Sequence, residues 1–165
     1  MSELTELHKT VVTLPNDTQI HTERIFDAPR ELVWDCYTDE ALVPEWLGPR
    51  RLKMRLEKWD FQVGGEWHFF HIDDQGNEYE FFGEFKEIER PSKIVQTFNF
   101  VMEPRLPAQV DSVEFIEMED GRTRLVADTT FDSKELRDGM VQSGMEGGMS
   151  ESFDRLDEIL ESKRG

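Results

Sequence analysis

Residues 66–89 read EWHFFHIDDQGNEYEFFGEFKEIE, and the period of this stretch decides the fold. Trp67, Phe69 and His71 alternate with His68, Phe70 and Ile72, the two-residue repeat of a β-strand. Asp73-Asp74-Gln75-Gly76-Asn77 has the composition of a hairpin turn. Beyond it Tyr79, Phe81, Gly83 and Phe85 alternate with acids, and the strand stops near Glu89-Arg90-Pro91. An antiparallel pair with aromatic rings on one side needs a second layer to cover that side.

The flanking segments supply both the rest of the sheet and the cover. Thr18 to Ala28 reads as a strand with Ile20, Thr22, Arg24 and Phe26 on one face and Ile25 opposite, stopped by Asp27-Ala28-Pro29. Pro29 suits the first turn of a helix with Asp27 as its cap, and Leu32, Val33, Cys36 and Tyr37 form that helix's apolar stripe. A second short helix runs from Asp39 to Trp46-Leu47-Gly48-Pro49. Leu52–Trp59 is a strand, and Asp60–Gly65 a turn. Ile94, Gln96, Phe98 and Phe100 mark another strand, Val113 and Phe115 the next. Asp120-Gly121 then turns the chain into Arg122–Phe131. After Ser133, a suitable N-cap, the period changes. Leu136, Met140, Gly144, Met145, Met149, Phe153, Leu156 and Leu160 follow three- and four-residue steps, which predicts one long amphipathic helix. The expected class is α+β: an antiparallel sheet with helices packed on one face. Residues 1–14 form an N-terminal tail or an extra strand, and 15–165 a single domain.

Composition narrows the function. The chain has 165 residues, with 36 Asp and Glu against 19 Lys and Arg, a net charge of -17. Such a surface repels phosphate backbones and anionic lipid, so neither nucleic acid nor membrane is expected as a partner. Twelve Phe and four Trp supply a core despite the charge. A single cysteine, Cys36, forms no internal disulfide, and no signal-like or membrane-length apolar stretch is present, so a cytoplasmic location is expected.

Five pieces in order resemble one family. They are Phe26-Asp27-Ala28-Pro29 with Val33-Trp34 and Trp46-Leu47-Gly48-Pro49; Asp60-Phe61-Gln62-Val63-Gly64-Gly65-Glu66-Trp67; Gly83-Glu84-Phe85-Lys86-Glu87-Ile88; Gly121-Arg122-Thr123-Arg124-Leu125; and Gly148-Met149 through Leu156. Together they are similar to the activator of heat-shock protein 90 ATPase homologue family, C-terminal-domain type, over roughly residues 18–160. That resemblance implies a START-like (SRPBCC) helix-grip fold, in which a curved sheet wraps the C-terminal helix around a cavity. It also implies a stress-linked chaperone partner, although eukaryotic activators contact the chaperone through a separate N-terminal domain for which this chain has no room.

Catalytic patterns are sparse. His68 and His71 point to opposite faces of a strand and cannot share a metal ion, so neither a metal nor a cofactor is expected. His71 shares the face of Trp67 and Phe69. It could orient a ligand or exchange a proton there, although a histidine so placed is ordinarily a core residue with one hydrogen bond. Glu66, Glu78, Glu80 and Glu84 fall on the solvated face, and Cys36 reads as a buried thiol. The candidate ligand contacts are Trp46, Trp67, Phe69, His71, Tyr79, Phe81, Phe98, Phe100 and Phe115, on one sheet face or at its mouth. Met140, Met145 and Met149 join them as adaptable walls. Gly139, Gly144, Gly147 and Gly148 weaken the helix, making its first half a candidate gate, or else they let helix and sheet approach closely. The expected function is non-enzymatic binding of a small hydrophobic molecule by a monomer or homodimer. The alternatives are a chaperone-linked module acting by protein contact, and a cyclase- or hydrolase-like enzyme with His71 as its acid or base.

Overall fold

The alternating segments all become strands in the computed structural model, which describes residues 9–101 and 107–164. Residues 1–8 of the anticipated tail lie outside the described residues. Val11–Asn16 forms β1, hydrogen-bonded antiparallel to β2, Gln19–Phe26. Two short helices follow, α1 (Arg30–Thr38) and α2 (Val43–Trp46). Then come β3 (Lys53–Trp59), β4 (Glu66–Ile72), β5 (Glu78–Glu89), β6 (Lys93–Phe100), β7 (Gln109–Glu117) and β8 (Thr123–Thr130). The chain closes with α3 (Lys134–Gln142) and α4 (Met145–Arg164). One antiparallel, curved eight-stranded sheet results, in the order β1-β2-β8-β7-β6-β5-β4-β3. It wraps α4 in the helix-grip arrangement.

Two local expectations are corrected. The N-cap of α1 is Pro29 rather than Asp27, with extended backbone and no side-chain cap of its own. Pro29 instead offers its carbonyl to the Leu32 and Val33 amides. The long terminal helix is broken in two. Ser133 does cap α3, accepting a hydrogen bond from the Leu136 amide, but α3 ends at Ser143-Gly144. Gly144 has a φ of 87°, the left-handed conformation that terminates helices and that glycine adopts without a Cβ clash.

The core has a solid end and a hollow end. At the solid end Phe26, Val33, Trp34, Phe115, Leu125 and Leu156 are essentially inaccessible. Each such side chain contributes roughly 1.5–3 kcal/mol of burial. Arg24 is buried beside them, and its guanidinium reaches Asp154 at 2.8 Å and Asp157 at 2.5 Å. The second half of α4 is thereby pinned to β2 through a charge that needs both partners.

Candidate functional site

A cavity of about 430 Å³ occupies the hollow end, between the sheet and α2, α3 and α4. Its aromatic wall comes from three adjacent strands. Trp67 stacks on Phe69 at 5.4 Å, Phe69 on Phe81 at 5.1 Å, and Phe98 lies 5.3 Å from Trp67 and 5.4 Å from Phe81. The pairing that brings Trp67 opposite residue 83 explains why glycine stands there. A Cβ on Gly83 would lie 2.6 Å from the indole and 2.0 Å from the Thr97 carbonyl oxygen. Met140 of α3 and Met145 and Met149 of α4 roof the space, and Trp46 closes its α2 side.

Nine of the twelve candidate ligand contacts therefore line one cavity: Trp46, Trp67, Phe69, His71, Phe81, Phe98, Met140, Met145 and Met149. Three do not. Tyr79 and Phe100 sit at strand ends, 37% and 38% exposed. Tyr79 donates its hydroxyl to Asp73, and Phe100, paired across the strands with Phe81 on the same face, stacks on it at 5.1 Å beyond the cavity lining. Phe115 faces inward but at the solid end, where it packs on Trp34 and Tyr37. Strand period fixes a residue's face and leaves its position along the strand open, and these three fail on position.

His71 is held by neighbouring backbone. Gly48 (φ 101°) lies so close that a Cβ there would be 2.6 Å from His71 Nε2. Gly48 is itself clamped by α4: its amide donates to Ser152 Oγ at 2.7 Å, and its carbonyl accepts from Arg155 at 2.8 Å. The His71 ring hydrogen-bonds the Leu47 backbone, while Nε2 is sealed against Gly48 without a partner. Burial holds its pKa below the ordinary value, so the ring stays neutral at physiological pH. His68 lies on the outer face, 2.7 Å from Glu80. His21 bridges Asp128 and Glu23, each at 2.7 Å. Among the described residues, no group of His, Cys, Asp and Glu is placed to hold a metal ion.

The cavity also has a polar side that the sequence reading missed. Cross-strand pairing aligns Phe85, Gln96, Asp111, Thr129 and Ile20 in one row across β5, β6, β7, β8 and β2, and all five line the cavity. Asp111 is half-buried and accepts hydrogen bonds from Thr129 and from Gln109 Nε2, the latter at 3.3 Å. Burial pushes its carboxyl up to about 6 against those bonds. Tyr37 of α1 faces the same space, its ring against Trp46 and Phe115. Burial, with the nearby Asp111 charge, pushes its phenol up, so the hydroxyl remains a donor. The signal for Asp111 was present: with Val113 and Phe115 inward, period two puts Gln109 and Asp111 inward too. His71 lies far from it. Phe85 bonds to Gly65, just before β4 and six residues before His71, which is about 20 Å of strand.

The profile of the family described as activator of Hsp90 ATPase homolog 1-like protein matches residues 27–161. The chain belongs to this family. A protein from Rhodobacter sphaeroides shares 22% identity at a TM-score of 0.86, covering 93% of this chain and 99% of its own. An Arthrobacter aurescens protein shares 26% at 0.83, covering 92% and 91%. A Silicibacter pomeroyi protein named for this family shares 19% at 0.72, covering 88% and 99%. No curated protein matches the chain. Among the described residues, no helix is long and apolar enough to cross a membrane.

Proposed function

We propose that this protein binds a small, mainly apolar molecule in the cavity and does not transform it. The observation that carries this reading is the cavity itself. A space of 430 Å³ lies within the usual range for small-molecule sites, about 300–1,000 Å³. A wall of stacked rings and three methionines is suited to an apolar occupant of variable shape. Binding is favoured over catalysis because the two groups best placed for proton transfer, His71 and Asp111, stand far apart and Nε2 of the histidine is sealed. A reducing, cytoplasmic setting suits the lone buried thiol of Cys36, which burial holds protonated with a pKa of about 11.

Native mass spectrometry of protein purified from its own cells tests the reading. A retained species of small mass is expected, and it should vanish in Phe81→Ala and Trp67→Ala. A solid interior, with no apolar compound raising the melting temperature in a broad screen, would overturn it.

The family's description favours a second reading, contact with a chaperone, and a net charge of -17 suits a basic partner face. Added protein should then change the ATPase rate of an Hsp90-type chaperone in a salt-sensitive way. An unchanged rate, with no complex by gel filtration, removes that reading.

A further inference from the structure

Asp111 is the cavity group that apolar binding leaves unexplained. Its hydrogen-bond partners, Thr129 and Gln109, are neutral, and so is Gln96, its neighbour across the sheet. Tyr37 faces it from α1 with a protonated phenol, while α3 and α4 present methionines to the space. His71, the other titratable group of the wall, is neutral and about 20 Å away along the sheet. Among the described residues, no Lys or Arg lines the cavity. A carboxylate so placed repels an anionic ligand, and a purely apolar one would bury its charge with neutral hydrogen-bond donors but no counter-charge.

Two further observations point the same way. The excess of 36 acids over 19 bases gives the molecule a negative field that concentrates cations around it. The rings of Tyr37 and Trp46, with centroids 4.7 Å apart in the cavity wall, present faces that attract a cation.

We propose that the ligand is a hydrophobic amine, an apolar ring-sized body with one protonated nitrogen, whose ammonium pairs with Asp111 beside Tyr37. This rests on the reading of the cavity as a ligand site. The carboxyl, raised to about 6, is mainly ionised at neutral pH, and a bound cation draws its pKa lower.

The test compares phenylbutylamine, phenylbutanol and phenylbutyrate, which share one body and differ in charge. Each is titrated by calorimetry into the wild type, Asp111→Asn and Met149→Trp, with Met145→Trp in reserve should the first tryptophan variant not fold. The wild type should bind the amine about tenfold or more tighter than the alcohol, and the acid least. Asp111→Asn should weaken the amine alone, to the level of the alcohol. The amine's advantage should fade as pH drops through about 6. Equal binding of amine and alcohol, or an amine preference that survives Asp111→Asn, overturns the proposal. It leaves the cavity reading standing provided the tryptophan variant still abolishes alcohol binding. If none of the three binds, or the filled variant binds as well as the wild type, the cavity reading falls and the proposal falls with it.

Discussion

Asp111 makes stability depend on pH in a direction opposite to that of a salt-bridged carboxylate. Its folded pKa, about 6, lies above the value near 3.9 of an unfolded chain. The folded state therefore holds the proton more tightly. The resulting stabilisation is complete below about pH 4 and lost as pH rises through about 6. Asp111→Asn should thus leave stability nearly unchanged at about pH 4, and raise it by on the order of 2 kcal/mol, or about 5 °C, at about pH 7.5. Calorimetric melting at both pH values checks this, and an equal effect at both would refute it. Gly48 permits a second residue-scale prediction. Gly48→Ala combines a positive φ with a Cβ 2.6 Å from His71, so a loss of about 2–3 kcal/mol is expected in urea unfolding. At this scale the sequence was informative about direction and poor about depth. Period two pointed Trp67, Phe81 and Phe98 inward, yet it gave no means to see that Phe115 meets a packed core while Asp111, four residues earlier on the same face, meets open space. That difference is made by α1 and α4 and belongs to tertiary structure.

At the scale of elements, the strands were legible because alternation survives in one half-buried sheet, and the helix break was not, because an apolar stripe can run on across a bend. Ser143-Gly144 carried the stop signal, but Met140, Met145 and Met149 kept helical spacing and masked it. The four glycines do not serve close helix–sheet approach: a Cβ at Gly139, Gly144, Gly147 or Gly148 would meet nothing within 4 Å. Their effect is on backbone freedom, so two neighbours should respond oppositely. Gly147→Ala, inside α4, should stabilise by about 0.5–1 kcal/mol. Gly144→Ala, in left-handed backbone, should destabilise by about 1 kcal/mol. Paired denaturant melts decide it, and changes of the same sign would contradict the assignment of the break.

For the whole molecule, the order of elements was enough to identify a sheet wrapped on a terminal helix, because an amphipathic helix and a one-faced sheet have few ways to cover each other. Whether the interior was filled could not be read in the same way, since residues of one composition can line a void or fill it. The net charge of -17 has a consequence at this scale. Surface pairs such as Arg55–Glu78, at 3.1 Å, are each worth about 1 kcal/mol or less, whereas the repulsion among unpaired acids acts across the whole surface. Salt screens both, and the repulsion is the larger. The melting temperature should therefore rise by a few degrees between about 0.01 and 0.5 M NaCl, as the screening length shrinks from about 30 Å to below 10 Å. A fall over that range would show that the ion pairs prevail.

The division between a solid and a hollow end also bears on inheritance. Trp34, Leu125 and Leu156, with Arg24 and its two aspartates, secure the fold without contributing to the cavity wall. The methionine roof and the Gln96–Asp111–Thr129 row shape the cavity and stand largely outside that packing. Mutations in the roof and the row therefore leave that packing in place, and selection can act on them separately from it. On the proposed reading of the cavity as a ligand site, a gene duplicated from this one could acquire a different cargo within a few substitutions while its product still folded, so descendants would diverge first in what they hold.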